Sequence, residues 1–570
     1  MGMRIGTPQD FFSVQVQTSA MDRGGAYINA YHNFFHEDLS CKLPWKTLVC
    51  VLLYTVCMVR NTIVNLYIKN FLCGGVFEVD IKAYMGSASE WSGDALAVFV
   101  SEEDLGDFRF LGEDIAGLVS WRVSESSFKA QKDTTLWTCL FDKRVKHVFL
   151  VGLGKESQFQ LDDFRRAAAL AVKQATKERC RDVLMVSARD SLRGVHQAMV
   201  EGAVLGSYKF SKYKTKKDNG NEWEIERIYV KGSGESDIKE GTVFAESQNF
   251  VRDLVNEPGN VINPVSLAEK AKKIGEEGNL EVYVYDENQL KEMGMMGLLS
   301  VGGASKTPPR LIHMIYKPQN PVEKIAFVGK GITFDSGGLN IKPSDFMRTM
   351  KGDKAGACNV LGLMRAIAKM DLPFEVHGFI GAAENMPGGG AYRPDDIIRL
   401  RNGKTVEIDN TDAEGRVTLA DVLSYASEQN PSCIIDMATL TGACAVALGE
   451  YTAGVFANDD ELVSDFLATA KETGERMWQL PIDDERLRKK IKSPVADVVN
   501  SAGRYGGAIT AAMFLQEFVG EGIKWLHVDM AGTDNTKEEY GYYIKGATGF
   551  GVRTCLAWLR EKERKGPAGL

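Results

Sequence analysis

The sequence predicts an α/β protein of two domains, the first smaller than the second. Three observations lead there. A chain of 570 residues exceeds the size at which a single core keeps growing. From about residue 92, short apolar runs rich in β-branched residues alternate with helical stretches, the pattern of a largely parallel sheet covered by helices. Between two such series lies "NEPGNVINP" (256–264), whose two prolines and Gly259 break any regular element.

Taken in order, "DALAVFV" (94–100) and "HVFLVGL" (147–153) are strands, and "LDDFRRAAALAVKQATKER" (161–179) is a helix with a clear apolar stripe. "DVLMVS" (182–187), the helical run 191–210 and "RIYVKG" (227–232) complete the first series. Residues 236–256 read as a long helix running into the break. The second series comprises "LEVYVY" (280–285), "LIHMIY" (311–316), "IAFVGKG" (325–331), "FEVHGFIGAAE" (374–384), "CIIDMA" (433–438) and "WLHVDMAG" (525–532), with a helix over 357–370. The division is therefore 1–84 as an extension, 85–235 as the first domain and 236–570 as the second. The extension is either a presequence, which would direct the chain to an organelle, or a misassigned start, with Met85 the alternative. Its apolar run 48–59 is only twelve residues long and bounded by Lys46 and Arg60, too short to cross a bilayer, so no membrane association is expected.

Composition narrows the function. The hydrophobic and charged fractions, 44% and 25%, are those of an ordinary globular protein, and the formal net charge of −8 opposes non-specific nucleic-acid binding. The ten cysteines form no C-x-x-C pair. Cys41, Cys50, Cys57 and Cys73 crowd near the N-terminus and the others sit in apolar company, as buried thiols of a reducing cytoplasm do. "HEDLS" (36–40) lacks the second histidine of a zinc helix, "GLGKES" (152–157) is neither a phosphate loop nor a dinucleotide fingerprint, and no G-x-S-x-G is present. The seven histidines are dispersed. Any metal site must be built from carboxylates.

Two segments supply them. In "NTDAEGRVTLAD" (410–421), an extended backbone would point Asp412, Glu414 and Arg416 to one side. Converging carboxylates repel unless a cation sits between them. In "VGKGITFDSGGLNIKPSDFMRTMKGDKAGA" (328–357), Lys330 and Asp335 flank the end of an apolar strand, where α/β proteins place ligands. Asp353 stands before a helix, and Gly337 and Gly338 permit close backbone approach. Read alone, this segment is equally a glycine-rich turn with capping carboxylates.

Together, the two segments resemble the paired signatures of the leucyl aminopeptidase family, the cytosol-type dinuclear metalloexopeptidases. The resemblance extends through "LVNEPGNVINP", "AAENMPGGGAYRPDD", "DMATLTGA" and "KGATGFGVRT" and covers essentially all of 240–560. It implies a catalytic second domain on a mixed central sheet, and removal of N-terminal Leu, Met and similar residues from short peptides with a free N-terminus. It implies Lys330, Asp335, Asp353, Asp412 and Glu414 as ligands of two divalent ions. Asp335 and Glu414 bridge, Lys330 and Asp353 complete a tight Zn²⁺ site, and Asp412 completes an exchangeable site for Zn²⁺, Mn²⁺ or Mg²⁺. Lys342 and Arg416 become the catalytic pair, Arg416 holding a bicarbonate general base beside a bridging hydroxide. Met350, Thr439, Gly442 and Ala531 fall at positions of the substrate pocket, and Asp534 at a further one, its alternative being a solvent-facing loop tip. A homohexamer in the cytoplasm is implied as well. The competing readings are a non-catalytic scaffold on this fold, which should have lost ligands, and a nucleic-acid-binding regulator, which net acidity opposes.

Overall fold

The computed structural model describes residues 79–566 except 142, 190–191 and 216–222; the apolar run at 48–59 lies outside them. Among the described residues no helix is long and apolar enough to cross a membrane.

The first domain is a six-stranded sheet in the order Asp80–Tyr84, Arg227–Lys231, Asp182–Ser187, Gly93–Ser101, Val145–Gly154, Thr135–Cys139. All neighbours are parallel except the last pair. Helices Leu161–Lys177 and Val195–Gly206 cover one face and Glu113–Ser124 the other. The first strand lies ahead of residue 85, so the division expected there falls on the wrong side of an element of this sheet. Asp80–Tyr84 is an edge strand with no fully buried side chain, and it lacks the apolar run that marks its inner neighbours.

Helix Glu235–Asn256 leads into the second domain, whose eight-stranded sheet is mixed. Its order is Met477–Gln479, Ala453–Ala457, Lys524–Asp529, Cys433–Ala438, Glu323–Asp335, Phe374–Asn385, Arg310–Tyr316, Glu281–Tyr285. The four strands from Lys524–Asp529 to Phe374–Asn385 run parallel. They are apolar on both faces because helices cover both: Ala355–Ile367 and Val552–Lys565 on one side, Glu414–Ser427 and Gly507–Gln516 on the other. The carboxyl ends of these parallel strands open at one edge of the sheet, the edge at which such folds bind ligands.

Candidate metal centre

The Glu323–Asp335 strand carries Lys330 and Asp335 five residues apart, an odd spacing that strict alternation would send to opposite faces. A bulge changes this. Ile332 pairs with Ala383 and Phe334 with Glu384, leaving Thr333 unopposed, and the extra residue resets the alternation. Lys330, Asp335 and Asn385 at the end of the neighbouring strand therefore share a face. The Asn385 amide donates to Asp335 Oδ1 at 2.9 Å, as does the Gly337 N–H at 2.8 Å. Gly337 and Gly338 turn the chain back with φ of 87° and 65°, which glycine adopts freely.

Asp353 follows a short turn, Met350–Gly352, and precedes helix Ala355–Ile367. The segment 412–416 is not extended. Asp412 lies in a turn and Glu414 is the first residue of helix Glu414–Ser427, where the helix dipole favours an anion. Turn and helix start, rather than strand alternation, aim the two carboxylates. Arg416, further round the helix, forms no ion pair with either; its Nη1 donates to the Asn500 carbonyl at 2.8 Å.

The parts meet at a buried cluster. Carboxylate oxygens of Asp335, Asp353 and Glu414 all lie within 4.8 Å of one another. Lys330 Nζ sits 2.8 Å from Asp353 Oδ1, 2.9 Å from Glu414 Oε1 and 3.0 Å from the Thr439 carbonyl. Lys342 Nζ sits 2.8 Å from Asp335 Oδ2 and 2.5 Å from Asp412 Oδ1. Asp412 is the open member, its side chain 31% exposed. A Cβ on Gly415 would lie 2.5 Å from Lys330 Cε, so only glycine lets the lysine reach its place.

Four carboxylates against two ammoniums leave an excess of negative charge in a water-poor site. Burial raises the pKa of Asp353, of Glu414 (helped by Asp335 beside it) and of Asp412. Burial alone would lower the Lys330 pKa, but Asp353, Glu414 and Asp335 more than reverse it. Among these groups alone the lysine is thus an ammonium, whereas ligation would need the neutral amine that a neighbouring dication favours. The donor set suits divalent ions in a second respect: Asp353 Oδ2 and Glu414 Oε2 are buried without a hydrogen-bond partner. Arg416, its pKa pushed down to about 10 by burial, likewise keeps a buried Nε without a partner, a donor suited to a small anion.

Of the expected pocket residues, Met350 and Thr439 adjoin Asp353. Met350 opens the turn before Asp353, and Thr439 donates its hydroxyl to Asp353 Oδ1 at 2.7 Å. Gly442 is the first residue of helix Gly442–Leu448 and Ala531 lies in a turn; Asp529 ties the two segments together, accepting from the backbone of Leu440, Thr441 and Ala531. A Cβ on Gly442 would meet nothing within 4 Å, which leaves its face open. Asp534 is not a solvent-facing loop tip: its Oδ2 is 3.0 Å from where a Gly352 Cβ would stand, and burial pushes its pKa up to about 7. Sequence reasoning missed Asn385, although its place at the end of an apolar strand was a usable signal. It also missed Asn500, whose amide and carbonyl hold the 409–413 turn and Arg416.

Comparison with known proteins finds relatives along most of the chain. Residues 249–556 match the model of the cytosol aminopeptidase family, catalytic domain, and residues 95–217 that of its N-terminal domain. The probable cytosol aminopeptidase of Aquifex aeolicus (strain VF5) is 58% identical over 486 residues, covering 85% of this chain and 98% of the relative. That of Persephonella marina (strain DSM 14350 / EX-H1) is 50% identical over 461 residues, 78% and 92% of the two chains. Among solved structures, a tomato leucine aminopeptidase mutant aligns with a TM-score of 0.78 at 34% identity, over 85% of this chain and 97% of that one. The bottromycin maturation enzyme BotP in complex with Mn aligns with a TM-score of 0.75 at 35% identity, over 82% and 99%.

Proposed function

The chain belongs to the cytosol aminopeptidase family, and from that premise we propose that its carboxylate cluster is a dinuclear centre releasing Leu, Met and similar residues from the amino end of short peptides. Aminopeptidase activity itself follows from membership, the relatives above being so named along most of their length. The observation that carries the metal reading is the convergence of Asp335, Asp353 and Glu414 within 4.8 Å, with two of their oxygens buried and unpartnered.

In this reading Asp335 and Glu414 would serve both ions, Lys330 and Asp353 would complete the tighter position, and Asp412, the most open member, would complete the exchangeable one. When bound, the ions would supply Lewis acidity to the scissile carbonyl and the attacking water, and bicarbonate a base to take the proton. Lys342 reaches the cluster from its open side and offers a positive charge to the carbonyl oxygen as it becomes an oxyanion. Arg416 holds the anion through its free Nε while Asn500 fixes the other edge of the guanidinium. Asn385 and Thr439 keep Asp335 and Asp353 aimed. Met350, Thr439, Gly442 and Ala531 line the space for the first side chain. The active form is a cytoplasmic homohexamer. Neither the scaffold nor the nucleic-acid reading is favoured, since every residue the chemistry needs is present.

The test is hydrolysis of a leucyl anilide by metal-stripped protein to which Zn²⁺, Mn²⁺ or Mg²⁺ is returned separately. Mn²⁺ should restore activity best through the exchangeable position; no hydrolysis with any of the three would overturn the reading.

A further inference from the structure

Lys354, next to Asp353, has a side chain that is 0% exposed and plays no part in the chemistry above. Its ammonium pairs with no carboxylate among the described residues. It donates instead to three backbone carbonyls: Glu257 at 2.9 Å, Val255 at 3.3 Å and Lys351 at 2.5 Å. Three N–H donors meet three acceptors, which is full satisfaction for an ammonium. Two of the carbonyls belong to the frayed end of helix Glu235–Asn256, where orphan carbonyls and the negative end of the dipole call for a cation. The carbonyl between them, that of Asn256, is taken by the Lys351 ammonium. Two lysines from one turn therefore clamp three consecutive carbonyls of the interdomain segment.

That turn holds Asp353. It opens at Thr349, a β-branched residue with φ of 83°, a conformation that persists only where the surroundings enforce it. Thr439 and Lys330 grip the Asp353 carboxylate from above; Lys354 holds the backbone from below.

We propose that Lys354 is a tethered cation filling a three-carbonyl socket, and that it is a positioning residue for Asp353. Oxygen atoms converging without a counter-anion form a ligand set for a hard monovalent cation once the tether is cut. Lys354→Ala should open the socket to K⁺ or methylammonium from solution, whereas Lys354→Met, of similar length, fills it with an apolar chain and leaves the carbonyls unsatisfied.

The socket is tested first on metal-stripped protein by thermal unfolding. Between 0 and 200 mM KCl or methylammonium chloride, against choline chloride at equal ionic strength, Lys354→Ala should gain about 2 °C or more in Tm. Wild type and Lys354→Met should not. The positioning role, which rests on Asp353 being a metal ligand, is tested by titrating Mn²⁺ and following the free ion by paramagnetic resonance. Lys354→Ala in choline should bind the ion at its tighter position about tenfold more weakly or worse, and K⁺ or methylammonium should restore most of the loss in Ala but not in Met. Equal Tm gains in all three proteins would overturn the socket. Wild-type Mn²⁺ affinity in choline, or a loss that no cation restores in the Ala variant, would overturn the positioning role. Both readouts stand apart from turnover, so failure of the leucyl anilide to be cleaved would fall on the proposed chemistry and not on Lys354.

Discussion

Glu414→Gln is the sharpest perturbation of this site because it moves stability and activity in opposite directions. The amide keeps the shape and removes one charge. In the metal-stripped protein, Glu414 faces Asp335 and Asp353 within 4.8 Å, and each such pair repels by at least about 3.5 kcal/mol at an effective dielectric of about 20. Against this stands the attraction of Lys330 at 2.9 Å, about 5.7 kcal/mol on the same scale. The two repulsions slightly exceed the attraction, Lys342 and Asp412 act in opposite senses, and burial, the largest effect, disfavours the carboxylate. Neutralising Glu414 should therefore leave the metal-free protein as stable as wild type or more so by about 1 kcal/mol. With metal the sign reverses, since an anion shared by both ions is lost, and turnover should fall about 10³-fold or more. Thermal unfolding of metal-stripped protein and leucyl-anilide turnover with Mn²⁺ measure the two halves. Near-normal turnover would refute the ligand assignment, and a metal-free variant clearly less stable than wild type would refute the charge balance.

Other perturbations reach further from the cluster. Size-exclusion with light scattering should give about six times the 62.8 kDa of one chain, and a monomer alone would contradict the proposed hexamer. Asp534→Ala should lower the ratio of arginyl to leucyl cleavage by an amount on the order of 1–3 kcal/mol; an unchanged ratio would remove Asp534 from the pocket. His313, hydrogen-bonded to His377 at 2.9 Å, has its pKa pushed down to about 3 by burial and by His377. A histidine held neutral in the fold contributes stability that is present above its unfolded pKa of about 6.5 and is lost as pH falls from there toward 3, by up to about 1.4 kcal/mol per pH unit. The Tm of His313→Phe should accordingly change less between pH 7 and pH 5 than that of wild type, and parallel curves would dismiss the histidine as a source of acid lability.

How much of this was legible in sequence depended on how a residue is buried. Cys433–Ala438 and Asp182–Ser187 are interior parallel strands, apolar on both faces, and were located to the residue. Asp80–Tyr84 and Thr135–Cys139 lie at sheet edges with mixed burial, so their patterns do not rise above those of loops. Acidic residues preceding helices and glycines at strand ends identified the stretches that form the cluster, because residue type and spacing are linear properties. The conformation of 412–416 is ambiguous in sequence, since alternate carboxylates fit an extended strand as well as a turn that enters a helix. Asn385 and Asn500 escaped because an amide does its work here through partners 50 and 91 residues away in the chain, a relation that only folding supplies.

The unopposed Thr333 has a consequence for how this centre could be lost. Lys330 and Asp335 share a face because the bulge absorbs the one residue by which the stretch between them exceeds regular pairing, and not because of any side chain at 333. Most replacements of Thr333 preserve that count and should preserve the site. Removing the residue outright would leave Lys330 and Asp335 four apart in a regular strand, still on one face, whereas straightening the bulge with the residue kept would turn Asp335 toward the opposite layer while all five candidate ligands remained in the chain. The centre therefore tolerates a changed letter or a dropped one at this point in the strand, but not the same letters read without the bulge.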